Sequence, residues 1–249
     1  MQRPLDLDTD MMKGLPIQYL AELHAKGLRF ALHVNGVDIA EFGDHSADVF
    51  SARLNVWLKQ GQNTLSASFQ PLGSSSRSSR LKITSVDRAR NPTELFDSGE
   101  TGGASIDYAV DVAEHTGSVL ERLGPQDSLA SEFPRILAVV AELHQAFVKR
   151  DFERIVELQK VQLEEKSTAV GISPSRSIEG YREFIEEVWS APGAKITPFA
   201  PVAKATGLPG LIQVVDRSGA PAITVSNGEV RLSINPYLAK MDGSWTIVR

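Results

Sequence analysis

Histidine is the first residue type in this sequence with chemistry to offer, because it binds metals and transfers protons near neutral pH. The chain has five: His24, His33, His45, His115 and His144. None stands in an H-E-x-x-H motif or at another metal spacing. The acidic stretch "DLDTD" begins like a calcium loop, but Met11 and Ile17 occupy the positions that need glycine and a bidentate acid. With no cysteine in the chain, thiolate zinc sites, thiol nucleophiles and disulfides are excluded. We therefore predict no metal and no cofactor.

Serine hydrolase and nucleotide chemistry are disfavoured, because the sequence has neither a G-x-S-x-G elbow nor a phosphate-binding glycine loop. An acid–base enzyme stays open, since a carboxylate in a pocket needs no motif. Asp216, Glu229 and Arg231 lie on or beside predicted strands. Strand alternation that buries Leu232 turns Arg231 the other way, which favours a solvated face for these charges.

Large aromatic side chains are the remaining candidates for a binding site, since they stack on sugars and line apolar pockets. The ligand-pocket candidates are Tyr181, Phe184, Trp189, Trp245 and His144, the last beside the apolar stripe of its helix. Ordinary core packing is the simpler alternative for each aromatic residue. For His144 that alternative is an interfacial histidine with a satisfied ring.

A local basic segment, "RSSRLKITSVDRAR", contrasts with the net charge of -5 and the pI near 5.6. Its basic residues are Arg77, Arg80, Lys82, Arg88 and Arg90. Nucleic-acid binding draws on clustered Lys and Arg, and five charges on an acidic protein are more typical of a solvated edge. We predict no nucleic-acid partner.

The N-terminal segment, 1–27, is expected to contain a short helix. Pro16 suits a first helical turn, Leu20 and Leu23 lie on an apolar stripe, and Gly27 can end the helix. This pattern predicts a helix from about 16 to 26.

The next region changes to short apolar runs separated by turn signals. Asn35-Gly36 is the dipeptide that a tight hairpin turn prefers. Five further short runs follow, with little helical period between them. This pattern predicts a β-sandwich, jelly-roll-like, over 28–116, followed by a linker over 117–130.

The C-terminal region, 131–249, begins with three amphipathic stripes that predict three helices. The stripes start at Phe133, Phe152 and Ile178, and Ser177 is the expected N-cap of the third helix. Apolar runs then alternate with Asn227-Gly228 and Asp242-Gly243, the pairs that two-residue hairpins use. Helices followed by an antiparallel sheet make an α+β fold.

Three stretches of this C-terminal region resemble the nuclear transport factor 2-like superfamily: "AELHQAFVKRDFERIVELQ", "RSIEGYREFIEEVW" and "KMDGSWTIVR". The resemblance implies a cone, in which a bent antiparallel sheet wraps around helices and encloses a pocket. The family usually has a short strand between its second and third helices, and "KSTAVGISPSRS" shows no clear strand. The N-terminal half is similar to galactose-binding-like jelly rolls, through "HVNGVDI" and "LNVWLKQGQNTLSASF".

These patterns favour a binding or protein-interaction protein without chemistry of its own. The alternative is an isomerase, hydratase or related enzyme that uses the C-terminal pocket, and a polar acid–base pair in an apolar cavity would distinguish it. A protein partner or self-association is expected, because "GLIQVV" is apolar on both sides and needs cover on both.

A small apolar or sugar ligand is also compatible with these folds. No apolar run approaches the length of a membrane span, so we expect no membrane partner. The location expected from the sequence is cytoplasmic, or periplasmic if a signal peptide was removed.

Overall fold

The computed structural model describes residues 17–40, 49–73, 76–87, 89–113, 118–123, 129–227 and 231–249. Within these residues the chain forms four α-helices and fifteen strands, and the strands pair antiparallel. The fold class is therefore α+β, as predicted. The chain divides into two compact units. Unit 1 comprises Met1–Arg122 with Thr168–Gly171, and unit 2 comprises Leu123–Ser167 with Ile172–Arg249.

Unit 1 has two four-stranded antiparallel sheets, with strand orders β4-β1-β6-β7 and β3-β2-β5-β8. Its strands are β1 (Gln18–Lys26), β2 (Leu28–Val34), β3 (Val37–Ala40), β4 (Val49–Arg53), β5 (Gly61–Pro71), β6 (Ser78–Val86), β7 (Pro92–Asp97) and β8 (Ile106–Val112). Single 3-10 turns lie at Asn55–Trp57 and Val119–Arg122. Leu23 and Leu81 of the first sheet and Leu32 and Leu65 of the second belong to one buried cluster, so the two sheets share a core.

The helix predicted over 16–26 is wrong, because Gln18–Lys26 forms strand β1. Tyr19, Ala21, Leu23 and Ala25 are buried in strict alternation, and β1 pairs with β6 along its whole length. The apolar stripe from which a helix was predicted contained Leu23, but it did not contain Tyr19, Ala21 or Ala25. Backbone pairing on both sides satisfies the N–H and C=O groups, and that tertiary gain outweighs a weak helical preference.

The hairpin predicted at Asn35-Gly36 is confirmed. The two residues join β2 to β3 and have φ values of 53° and 73°, the left-handed conformation that a type I′ turn requires. The side chain of Asn35 adds to this turn, because its Oδ1 accepts a hydrogen bond from Thr64 N at 3.0 Å.

Residues 129–190 form four helices where three were predicted: α1 (Leu129–Lys149), α2 (Phe152–Leu158), α3 (Lys160–Val170) and α4 (Pro174–Ser190). The second predicted helix is split at Gln159, whose backbone lies outside the helical region. The last helix is capped by Ser173, whose hydroxyl accepts from Arg176 N, and not by the expected Ser177. Pro174 fits the first helical turn because its missing N–H has no partner to lose there. No strand separates α3 from α4, in line with the sequence.

The strands of unit 2 form two antiparallel sheets, ordered β10-β11-β14-β15 and β13-β12-β9. They are β9 (Lys195–Ile196), β10 (Pro201–Ala205), β11 (Leu211–Asp216), β12 (Ile223–Ser226), β13 (Arg231–Ile234), β14 (Tyr237–Met241) and β15 (Ser244–Ile247). Segment β9–β10 pairs with segment β11–β12 on both sides of its interruption. Each interruption contains a proline, Pro198, Pro221 or Pro236, which cannot donate to a strand ladder. The chain segments β9–β10, β11–β12 and β13–β14 thus each contribute one strand to each of the two sheets.

The closing hairpin predicted at Asp242-Gly243 is also confirmed, with φ values of 48° and 83° between the paired Met241 and Ser244. The turn expected at Asn227-Gly228 falls largely on residues 228–230, which lie outside the described residues. The last described β12–β13 pair is Ser226 with Arg231.

Candidate binding cleft

The five predicted pocket residues do not share one environment. Trp189 and Trp245 belong to the buried core cluster of unit 2, 7% and 8% exposed, and Tyr181 packs against that cluster. His144 is 6% exposed, and its ring contacts Phe199, with ring centroids 4.8 Å apart. Phe184 is 38% exposed on α4. The structure brings four of the five candidates into or against the core, whereas Phe184 faces outward.

Hydrogen bonds hold the polar atoms of Trp245 and Tyr181. Trp245 Nε1 donates to Glu132 Oε2 at 2.8 Å, and this bond lowers the pKa of Glu132. Tyr181 Oη accepts from Gln159 Nε2 at 2.8 Å. Burial raises the pKa of Tyr181 to about 12, so its phenol stays neutral over the physiological range. These are the contacts of well-packed core side chains.

An acid–base enzyme in unit 2 would need a proton donor and acceptor within hydrogen-bond reach of each other. His144 Nε2 donates to the carbonyl oxygen of Thr197 at 2.9 Å, while its Nδ1 is buried without a partner among the described residues. Asp216 caps a turn instead, accepting from Ser218 and Ala220. Those hydrogen bonds lower the pKa of Asp216. Glu229, the other acid considered, lies outside the described residues.

Unit 1 carries an open cleft on the outer face of the β4-β1-β6-β7 sheet. Its volume is about 480 Å³. We call it the outer-face cleft, and its lining is Leu20, Ala21, Glu22, Ser51, Ala52, Arg53, Lys82, Thr84, Val86 and Pro92. Alternation along β1 explains the lining, because the side that does not bury Leu23 presents Leu20 and Glu22. Strand pairing places Arg53 opposite Leu20 and Lys82 opposite Glu22.

Most charges on this face are held in ion pairs. Lys82 Nζ lies 2.8 Å from Glu94 Oε2, and the bond to Glu94 raises the pKa of Lys82. His24 Nε2 donates to Glu22 Oε1 at 2.6 Å. The guanidinium of Arg53 has no hydrogen-bond or ion-pair partner in the ranges that the structure describes. The outer-face cleft therefore contains one cation that is not neutralised by a described neighbour.

A smaller cleft of about 220 Å³ lies beside it, on the same two strands β1 and β6. His24, Lys26, Ser78, Ser79, Arg80 and Glu100 line it. Arg80 makes a bidentate ion pair with Asp97, which holds the pKa of Asp97 well below its usual range. A volume of this size is below the roughly 300 Å³ typical of small-molecule sites.

The basic segment predicted to be a solvated edge supplies part of this face. Arg80 and Lys82 are in the ion pairs described above, and Arg77 Nη2 donates to Gly73 O at 2.9 Å. Arg90 takes a turn conformation with φ of 64°, and Arg88 lies outside the described residues. Two of the five charges are therefore neutralised within the sheet.

The argument for self-association from "GLIQVV" is corrected by the structure. Ile212 and Val214 belong to the core cluster, and Leu211, Gln213 and Val215 on the alternate side are buried as well. Both faces of β11 are therefore covered within a single chain. This strand does not need a second copy.

The residues that the sequence analysis missed are Leu20, Glu22 and Arg53. Leu20 and Glu22 were overlooked because 16–26 was interpreted as a helix, which places their side chains on different faces. Arg53 was overlooked because a helix there has no strand edge with which β4 could pair. The alternation of Tyr19 and Leu23 with polar neighbours was the signal that could have found them.

Across the residues that the structure describes, no helix combines the length and the apolar character needed to cross a membrane. The same residues contain no group of three or more His, Asp or Glu side chains arranged to hold a metal ion. Comparison of the chain with protein-family models, with curated proteins and with solved structures gave no match.

Proposed function

We propose that the protein is a non-catalytic binding protein and that it takes a small molecule in the outer-face cleft of unit 1. The observation that carries this proposal is the cleft itself, whose volume of about 480 Å³ falls in the range of small-molecule sites. Its lining combines aliphatic surface from Leu20, Val86 and Pro92 with the polar groups of Ser51 and Thr84. Such a mixture suits a ligand that has both an apolar and a polar part.

The finer architecture belongs to the same proposal. Two four-stranded antiparallel sheets around a shared core support a jelly-roll-like sandwich for unit 1, similar to galactose-binding-like domains. Helices followed by two antiparallel sheets support a nuclear transport factor 2-like cone for unit 2. Both architectures serve as recognition scaffolds, although fold alone does not give function. A protein partner and self-association remain predictions from the sequence.

The enzyme alternative, an isomerase or hydratase in unit 2, rests on His144. Its buried Nδ1 has no partner among the described residues. A ring nitrogen in this state is free to accept a proton from a substrate. A carboxylate or hydroxyl placed beside that nitrogen is what the alternative still requires. Turnover that is abolished by His144→Gln but retained by substitutions of other core residues would favour the enzyme alternative.

Native mass spectrometry of the full chain after incubation with a metabolite extract tests the binding function. The variant Leu20→Trp fills the cleft, and Leu72→Trp places the same side chain at an exposed position of unit 1. We expect the wild type and Leu72→Trp to retain a small molecule and Leu20→Trp to lose it. Equal retention by all three proteins would show that the outer-face cleft is not the binding site.

A further inference from the structure

We infer that the outer-face cleft binds a zwitterion of the amino-acid class, with its carboxylate on Arg53 and its ammonium on Glu22. This inference rests on the proposed function and names the ligand chemistry of the same site. The two side chains belong to neighbouring strands and line one cleft. They carry opposite charges, and no ion pair joins them in the structure.

The register of β4 and β1 sets the separation of these two residues. Arg53 pairs with Leu20, and Ser51 pairs with Glu22. Arg53 and Glu22 are therefore diagonal neighbours on one face, roughly 7 Å apart at the sheet surface. A ligand that carries both charges can bridge this gap, because each long side chain reaches it from its own strand.

Two opposite charges at the cleft can face a ligand. Lys82 is paired with Glu94, so among the described residues the cation of Arg53 and the carboxylate of Glu22 remain at the surface of β4 and β1. Glu22 accepts from His24, and its carboxylate can accept from a ligand ammonium as well. A simple anion would pair with Arg53, but the negative charge of nearby Glu22 would repel it. A zwitterion complements both charges and adds no net charge to the site.

The apolar part of the ligand is set by the cleft floor. Leu20 lies directly opposite Arg53, and Val86 and Pro92 complete an aliphatic surface on the β6 side. Since no aromatic ring is among the described residues that line the cleft, sugar stacking is not favoured there. An aliphatic side chain such as that of leucine fits this floor, while a guanidinium fork binds the ligand carboxylate through two parallel hydrogen bonds.

Isothermal titration calorimetry on the full chain tests the inference with three probes. L-leucine has both charges, 4-methylpentanoate lacks the ammonium, and L-leucinamide lacks the carboxylate. The proteins are wild type, Arg53→Gln, Glu22→Gln and the control Arg29→Gln, which removes an exposed arginine on β2 of the other sheet. We expect L-leucine to bind wild type and the control alike, and to bind each cleft variant about tenfold more weakly or worse.

The matched losses distinguish recognition from a general change in the sheet. Glu22→Gln should not weaken the binding of 4-methylpentanoate, and Arg53→Gln should not weaken the binding of L-leucinamide. If either analogue binds wild type as tightly as L-leucine, or if the cleft variants bind L-leucine normally, the zwitterion inference is overturned. Absence of L-leucine binding overturns it too.

The proposed function is judged separately, by whether Leu20→Trp loses the ligand captured from the extract. A ligand lost from that variant, together with no response to L-leucine, would keep the binding site and reject its amino-acid chemistry. Retention of L-leucine by Leu20→Trp would reject the site as well.

Discussion

The outer face of unit 1 and the aromatic cluster of unit 2 hold the side chains best suited to bind a ligand, and they differ in accessibility. Trp189 and Trp245 in unit 2 are buried in a packed core. Leu20, Glu22 and Arg53 in unit 1 line an open cleft. Residue type alone does not distinguish the two sets, because aromatic rings and charged groups can each bind ligands. Burial separates them, since a side chain enclosed by core neighbours has no surface left for a ligand.

The same contrast divides two arginine–carboxylate pairs that have similar bidentate geometry. In unit 2, Arg249 and Glu165 have side chains that are 3% and 9% exposed. In unit 1, Arg80 and Asp97 have side chains that are 44% and 20% exposed. Burial lowers the pKa of Arg249 despite the nearby carboxylate, whereas the pKa of Arg80 is raised by its hydrogen bond to Asp97. Desolvation therefore determines how much free energy of unfolding is lost when each pair is broken.

The largest expected effect comes from breaking the buried pair. Arg249→Met leaves Glu165 enclosed without its counter-charge, and we expect a loss of about 3–5 kcal/mol in the free energy of unfolding. Arg80→Met is the matched change on the open face, and we expect it to cost much less because solvent screens the exposed pair. Urea unfolding followed by tryptophan fluorescence measures both. Similar losses in the two variants would contradict the contrast between the units.

The two faces of β1 provide the next test, with the same substitution made three residues apart, once on each face. Leu23→Ala empties a fully buried position, with an expected cost of about 2–5 kcal/mol. Leu20→Ala alters a half-buried cleft residue, with an expected cost of about 1 kcal/mol or less. A helix over 16–26 would place both leucines on its buried stripe and predict similar losses. Equal destabilisation in thermal unfolding would therefore favour the helix over the strand.

Tyr181 gives a pH-dependent test of burial in unit 2. Its pKa is raised from 10.0 to about 12, so its contribution to stability is complete below about pH 10 and is lost as the pH rises through 12. A shift of that size corresponds to at most about 3 kcal/mol. The measurement is the ultraviolet absorbance of the phenolate during alkaline titration, with Tyr181→Phe identifying the signal. A midpoint near the ordinary tyrosine value would mean that the ring is open to water.

The smallest expected effect on stability belongs to the cleft cation. Arg53→Gln removes a side chain without a partner among the described residues, so the free energy of unfolding should change by no more than about 0.5 kcal/mol. Ligand binding should nevertheless weaken, as described for L-leucine. Thermal unfolding of the ligand-free variant provides the check. A large loss of stability would mean that Arg53 supports the fold rather than the site.

Much of the fold could be predicted because its signals are local. The dipeptides Asn35-Gly36 and Asp242-Gly243 tolerate positive φ, and each forms the predicted two-residue turn. The long amphipathic stripes gave α1 and α4, since a helix repeats every 3.6 residues whatever surrounds it. Less local features were missed. Gln159 breaks the second stripe at a point where no proline or glycine marks the sequence.

The sequence by itself determined the α+β class, the tight turns at Asn35-Gly36 and Asp242-Gly243, the prolines between the strands of unit 2 and the lack of cysteine. Only the tertiary structure decided that 18–26 is a strand, because its backbone is satisfied by β4 and β6, which lie far along the chain. That pairing alone brings Arg53, 31 positions beyond Glu22, onto the same face. Burial of the aromatic candidates was decided in the same way, since solvent exposure depends on neighbours that the local sequence does not specify.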